Sequence, residues 1–474
     1  MHGASPILIW LRRDLRLSDH PAFEAACRAG RPVIPVYICD SQTEILGAAP
    51  KFRLGLGLQH FADHLNSNGS RLILRRNASA QDALLELIAQ TGAGAVYWSR
   101  QYDPDAIARD TLIKTALKER GIEARSFAAH LLFEPWTVQT KTGGFYKVFT
   151  PFWNSVKGRD VPAPLPAPTN IPSPEVWPAS DTLADWQLGA AMGRGAAVVQ
   201  PHCRVGEAAA QSRLQHFCGN AIAAYQANRD LPAVDGTSNL SENLALGEIS
   251  PQQCWHAGLR AMHEGKAGAE TFLKEIVWRE FAYHLMHHTP HILTSSWRPA
   301  WDGFDWNTDP DTPAVHAWQQ GRTGVPFVDA AMRELYVTGR MHNRGRMIVA
   351  SYLTKHLLCH WRIGQQWFAD TLCDWDPASN AMGWQWAAGS GPDASPYFRV
   401  FNPETQLDKF DKARLYANRW IAEGQHPPHE DACAYYAAIP KRWNLTAQDA
   451  YPAPIVDLAE GRHRALDAYQ NKAF

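Results

Sequence analysis

Short apolar runs separated by amphipathic stretches organise the first 130 residues. Residues 7–11, 33–39, 71–74, 95–98 and, more weakly, 124–127 are apolar runs of strand length. Between them, helical periodicity covers residues 21–28, 53–66, 80–90 and 105–119. Strands that alternate with helices predict an α/β domain on a doubly wound parallel sheet of five strands, with helices covering both faces. Such sheets take nucleotide-like ligands at their carboxyl ends. No G-x-G-x-x-G follows the first strand, however, so the domain is not an evident dinucleotide fold.

After Phe149 the pattern breaks. Pro162, Pro164, Pro166, Pro168, Pro172, Pro174 and Pro178 crowd a stretch that can be neither regular helix nor central strand, and this reads as an interdomain connection. From about Gly206 strand signals are sparse and helical periodicity dominates, at residues 208–226, 271–287, 328–336, 344–360 and 364–371. The expected organisation is an α/β domain over residues 1–130, a linker over 131–205 and an all-helical domain over 206–474.

With 474 residues and 45% apolar content, the chain can bury large cores. No charge-flanked apolar run opens it and no stretch reaches about 18 uninterrupted apolar residues, so neither secretion nor membrane insertion is expected. The eight cysteines are scattered without a C-x-x-C, which encodes neither a disulfide framework nor a metal site and fits a reducing cytoplasm. A net charge of −1 argues against indiscriminate coating of nucleic acid and leaves room for a local basic face. Arg340, His342, Arg344, Arg346, Lys355 and His356 form one such cluster, and Arg399, Lys409, Lys412 and Arg414 a second.

Within this frame, residues 374–403 (DWDPASNAMGWQWAAGSGPDASPYFRVFNP) pack three tryptophans, two asparagines and three carboxylates, in a chain holding 19 Trp. Read as a helix, the segment puts Asn380 and Trp384 on one face and points Trp386 to roughly the opposite side. One face can hold the edge of a flat cofactor while the other meets a substrate. Alone, these tryptophans read as core aromatics. Asp374, Asp376 and Asn380 change that reading, because burying such groups without partners costs roughly 2–7 kcal/mol and a polar ligand would supply the partners.

Three further segments carry polar chemistry. Residues 236–241 (GTSNLS) offer amides and hydroxyls ahead of a helical stretch, with Tyr225 upstream, a pattern shared by phosphate sites and simple helix caps. In EIVWREF, Glu275 and Trp278 share a helical face. In MHNRGRM, Asn343 and Met347 lie four apart, an amide and a soft thioether suited to a flat heterocycle.

These segments, with WLRRDLRLSDHPAF near the start and GRTGVPFVDAAMREL before MHNRGRM, resemble the photolyase and cryptochrome family over nearly the whole chain. The resemblance implies a C-terminal helical domain that binds FAD noncovalently in a U shape. Tyr225, Thr237, Ser238, Leu240 and Ser241 match the FAD phosphate set, Asn239 standing where many relatives have a basic or small residue. Arg346 and Asp374 match the ion pair beside the flavin, Asp376 a partner of its ring edge, and Asn380 the residue facing N5. Trp384, Trp361 and Trp306 match the proximal, middle and terminal members of an electron-hopping chain reaching the surface, with Trp297 and Trp301 as alternatives to Trp306. Glu275, Trp278, Asn343, Met347 and Trp386 match the pocket for a cyclobutane pyrimidine dimer, whereas relatives acting on the (6-4) photoproduct place histidines at the positions of Asn343 and Met347. Arg344, Arg399 and Lys409 are the expected phosphate contacts.

The implied activity is light-dependent repair of UV-damaged DNA by a cytoplasmic monomer. Excited FADH⁻ lends an electron to a flipped-out dimer, the cyclobutane ring opens and the electron returns. The resemblance also implies an antenna chromophore in some members, methenyltetrahydrofolate or 8-hydroxy-5-deazaflavin, and leaves that choice open. The rival reading is a cryptochrome, a blue-light photoreceptor without repair.

Overall fold

The computed structural model describes residues 4–393 and 398–472, so residues 394–397 of the tryptophan-rich block lie outside them. Five strands, β1 (Ile7–Leu11), β2 (Val33–Cys39), β3 (Ile73–Arg76), β4 (Ala95–Ser99) and β5 (Glu123–Phe127), form one sheet in the order β3-β2-β1-β4-β5. All four pairings are parallel, with Ile7 opposite both Val33 and Ala95. The two-residue period of β1 divides its side chains between two cores. Ile7, Ile9 and Leu11 enter one and Leu8 and Trp10 the other, so both faces are covered, as a doubly wound sheet requires.

At the switch point between β1 and β4 the carboxyl ends are filled by the chain's own charges. Arg12 pairs with Asp110 at 3.0 Å and Arg109 with Asp40 at 2.8 Å, and both guanidiniums lie over the Trp10 ring.

Two elements depart from the periodicity. The edge strand β3 sits two residues later than the apolar run that signals it, and it includes Arg75 and Arg76. An edge strand tolerates charge, and Arg76 pairs with Glu44 instead of entering a core. The expected helix over residues 208–226 is broken into a helix over Glu207–His216, a wide π turn over Phe217–Ala221 and short turns up to Asn228. Gly219 and Asn220, both poor helix formers, lie in the wide turn.

The helical part is built from Ala269–His288, Pro326–Thr338, Asn343–Ser351, Trp361–Thr371 and Pro377–Ala388, with Leu458–Gln470 near the chain end. Asn343–Ser351 gives way to a π turn, Tyr352–His356, where a helix to residue 360 is expected, and Leu358 adopts a positive φ of 52°. An isolated parallel bridge, Asn307 to Cys359, interrupts the helical character. It sets Trp306 beside His360.

The opening motif docks the two parts. Arg16 donates to the carbonyls of Asp19, Gly247 and Ala129, and Glu207 accepts from the Leu17 and Ser18 amides. Gly247 has φ +67°, and a Cβ there would collide with the Arg13 carbonyl. Arg53, fully buried, pairs with Glu248 at 2.6 Å and Glu242 at 3.5 Å, and Glu242 in turn holds Arg213 at 3.1 Å. Two cations and two anions thus balance across the junction, which keeps burial of the charges tolerable.

Candidate functional site

The helical part encloses a cavity of about 1230 Å³, beyond the roughly 300–1,000 Å³ usual for a small-molecule site. The helix Ala269–His288 presents Glu275 and Trp278 to it, and Asn343–Ser351 presents Asn343, Arg346 and Met347. Pro377–Ala388 contributes Asn380, Trp384 and Trp386, with Asp374 and Asp376 just ahead of it, while Tyr225, Thr237, Ser238, Leu240 and Ser241 form another wall. The four- and three-residue spacings align each pair on one helical face.

Asp376 caps the Pro377–Ala388 helix by accepting from the Ser379 amide at 2.8 Å, which fixes the helix start against the cavity. Its second oxygen accepts from the Tyr283 hydroxyl. Arg346 holds one Asp374 oxygen at 2.7 Å, while the other Asp374 oxygen is buried without a partner among the described residues. Asn380 donates its amide to the Gln365 carbonyl at 3.0 Å, which orients its oxygen. Asn343 and Met347 meet across one turn, the amide nitrogen 3.9 Å from the thioether sulfur.

Trp384 and Trp386 both border the cavity, yet their rings diverge as their spacing requires. Trp384 turns inward against Phe368 (5.0 Å) and Trp318 (6.0 Å), and a Cβ on Gly364 would overlap its ring. Trp386 faces Phe401. Trp361 is fully buried behind this wall, and His360 bridges it to Trp306 at centroid distances of 5.3 and 6.0 Å. Trp306 is only 7% exposed, so it does not itself reach the surface as expected of a terminal member. Of the alternatives, Trp301 contacts Trp306 at 6.3 Å, whereas Trp297 packs with a different core.

The phosphate loop differs in detail from its reading. The helix that follows it, Ser241–Ala245, is only five residues long and has no side-chain cap. Asn239 adopts φ 51° and its side chain is occupied within the loop by Thr237 and Asp235. Arg344 is not gathered into the cavity. It pairs with Asp230 at 2.6 Å and lies over Phe410, so a phosphate would have to displace that pair. Arg399 and Lys409 are exposed and lie outside the cavity lining.

Several groups were not legible as site residues. Arg13, from the opening motif, lies over the Trp375 ring at 5.6 Å and within electrostatic reach of Tyr283 and Asp376. Phe149 stacks flat on Trp278, with centroids 3.7 Å apart and planes 6° apart. Arg213, beside the 237–241 loop, is pushed down first by burial and also by the nearby Arg340 and Arg204, with Glu242 opposing. Guanidiniums crowded at a cavity wall favour an anion between them. His342 caps the Asn343–Ser351 helix by accepting from the Arg344 amide at 3.1 Å, and burial pushes it down to about 4, so it is neutral at pH 7.

These features fit a flavin dinucleotide. The Asp374 oxygen that has no partner among the described residues and the arginine-rich end offer, in one cavity, an acceptor and cations. Among the described residues no cluster able to hold a metal ion occurs, and no helix is long and apolar enough to cross a membrane.

Comparison with known proteins gives the family. Residues 7–169 match the family model described as DNA photolyase, and residues 272–471 match the FAD binding domain of DNA photolyase. The chain is 45% identical to a deoxyribodipyrimidine photo-lyase of Agrobacterium fabrum, covering 98% of each chain. It superposes with a TM-score of 0.91 on a crystal structure of a bacterial class III photolyase from Agrobacterium tumefaciens, at 43% identity over 99% of this chain and 98% of that one. Cryptochrome-1 of Arabidopsis thaliana is 34% identical, over 97% of this chain and 70% of the plant protein. The chain belongs to the DNA photolyase and cryptochrome family, and its helical part is an FAD-binding domain.

Proposed function

We propose that this protein is a deoxyribodipyrimidine photo-lyase that uses light to split cyclobutane pyrimidine dimers in UV-damaged DNA. One observation carries the reading: a single cavity joins the Arg346–Asp374–Asn380 wall to the Glu275, Trp278, Asn343, Met347 and Trp386 group. Bound FAD supplies light-driven one-electron chemistry there. Relatives that match over nearly their full length bear the photo-lyase name, which favours repair over signalling.

The chain's own residues do the binding and positioning. Tyr225, Thr237, Ser238, Leu240 and Ser241 hold the phosphates, with Arg213 supplying charge. Asp374 and Asp376 would accept from the flavin ring edge, with Arg346 steadying Asp374, and the Asn380 amide, which can donate or accept, would meet the ring. Flipping a damaged base costs a few kcal/mol, less for a lesion that already stacks badly. Trp278, clamped by Phe149, and Trp386 offset that cost by stacking on the dimer, while Glu275 and Asn343 bond its polar edges. Arg399 and Lys409 hold the flanking phosphates. Trp384, Trp361 and Trp306 carry electrons inward to the flavin.

The dimer is favoured over the (6-4) photoproduct because the latter needs a proton donor. Positions 343 and 347 hold an amide and a thioether, and the adjacent His342 is neutral, with Nδ1 committed to its helix cap. Illumination of the reduced holoprotein with each lesion in an oligonucleotide tests this. Thymine absorbance returns with the cyclobutane dimer. Its return only with the (6-4) lesion overturns the assignment.

A further inference from the structure

The Asp376 carboxylate accepts from two different parts of the chain. The Ser379 amide belongs to its own helix, whereas the Tyr283 hydroxyl comes from the helix Ala269–His288. That hydroxyl also lies 2.8 Å from Nε2 of His130, which stands just past β5 where the α/β part ends. Arg279, one turn before Tyr283, donates to the same Nε2 at 2.7 Å and to the His130 carbonyl at 2.8 Å. Both rings of this column are buried.

A guanidinium donates and cannot accept, so Nε2 of His130 turns a lone pair toward Arg279. Burial, with Arg279 adding to it, holds His130 well below its ordinary value, and the imidazole is neutral with its proton on Nδ1. Burial and the Asp376 charge likewise keep the Tyr283 phenol protonated. Its single proton therefore faces two acceptors, Oδ2 of Asp376 and Nε2 of His130. Pointed at Asp376, it draws charge off the carboxylate. Pointed at His130, it leaves that charge in place.

We infer that Tyr283 is a positioning residue that sets the reduction potential of the bound flavin through Asp376, its hydroxyl proton shared between the carboxylate and His130. The inference rests on the proposed contact between Asp376 and the flavin ring. Reduction of FAD to FADH⁻ takes up two electrons and one proton and leaves one added negative charge on the ring. A carboxylate beside the ring opposes that charge, and a buried site screens the opposition poorly. A hydroxyl that donates to the carboxylate lessens it and favours the reduced form on which repair depends. His130 and Arg13, which lies within electrostatic reach of both Tyr283 and Asp376, come from the N-terminal part. Docking of the α/β part thus bears on the strength of the electron donor.

The midpoint potential of the FAD/FADH⁻ couple in the holoprotein, measured in the dark by dye equilibration with dithionite as reductant, tests this. Tyr283→Phe keeps the ring and removes the proton. Its reduction equilibrium is expected to move about ten-fold toward the oxidised form, about 30 mV lower for a two-electron couple. His130→Leu removes the competing acceptor, and its potential is expected not to fall. Asp376→Asn raises the potential, and adding Tyr283→Phe to it gives no further drop of that size. A Tyr283→Phe potential equal to or above the wild type overturns the inference, as does a fall in His130→Leu, which general loosening of the site would give. A drop that persists undiminished in Asp376→Asn shows that Tyr283 acts without the carboxylate and overturns it too. An unmoved potential in Asp376→Asn alone refutes instead the contact between Asp376 and the flavin, and with it the reading beneath the inference.

Discussion

Asp374 illustrates how a single side chain joins packing to chemistry. Its side chain is 1% exposed and one oxygen is held by Arg346, yet the other has no partner among the described residues. A buried carboxylate oxygen left in this condition is costly unless a ligand donor meets it. Asp374→Asn keeps the volume and removes the charge. Charged hydrogen bonds contribute about 1.5–3 kcal/mol each, so FAD retention should weaken by about ten-fold or more, read as flavin released on gel filtration or by titration of the apoprotein. Undiminished retention would place Asp374 outside the flavin contact. At this scale the sequence was most informative where polar residues stood next to tryptophans at helical spacing. Arg13 and Phe149 were opaque, because their partners Tyr283 and Trp278 lie far along the chain and only the docked structure brings them near.

Among the elements, the helix pair Trp361–Thr371 and Pro377–Ala388 decides where the site's rings lie. Gly364 allows Trp384 to press against the neighbouring helix backbone, and no other residue leaves that room. Gly364→Ala should cost about 1–3 kcal/mol through overpacking and push the Trp384 ring off its present position. Denaturant unfolding and the rate of flavin photoreduction report the two effects. Unchanged values for both would mean that the contact is not as tight as drawn. Strands and helices in the α/β part were legible because their apolar period is clean, with the charged edge strand β3 the exception. Helix ends near the site were not, since the π turns at Phe217–Ala221 and Tyr352–His356 break runs whose apolar pattern continues. The burial of Trp306 was likewise invisible, because it follows from the Asn307–Cys359 bridge and from the packing of Phe304 and Trp301 over its ring.

For the molecule as a whole, buried histidines set the response to acid. Burial pushes His284 down to about 3 and His342 and His356 down to about 4, and it drives His130 well below its ordinary value. A depressed histidine contributes stability that is present above about pH 6.5 and is lost as pH falls toward the folded value. Glu280 opposes them, raised to about 7 by burial, since its contribution is lost as pH rises through that value. With His202, His287 and His360 also lowered by burial, the depressed histidines outnumber the raised carboxyls Glu280, Asp329, Glu334 and Asp393, so unfolding near pH 5.5 takes up protons. Each proton taken up lowers stability by about 1.4 kcal/mol per pH unit. Guanidinium unfolding at pH 7.0 and 5.5 should give the lower midpoint at 5.5, and an equal or higher midpoint there would refute the balance. The α/β part and the helical part were readable from the change of apolar period along the chain. The way they join was not, since Arg53 pairs with Glu242 and Glu248, which follow the proline-rich stretch.

The central claim is that flavin and damaged pyrimidines share one cavity. Titrating the FAD-loaded, dark-held protein with a dimer-containing oligonucleotide, while recording flavin absorbance and fluorescence, tests it most directly. The account predicts a saturable change in the flavin bands with the dimer, none with the undamaged strand, and a weaker response after Trp278→Ala. Tight binding of the dimer with flavin bands that do not move would contradict it.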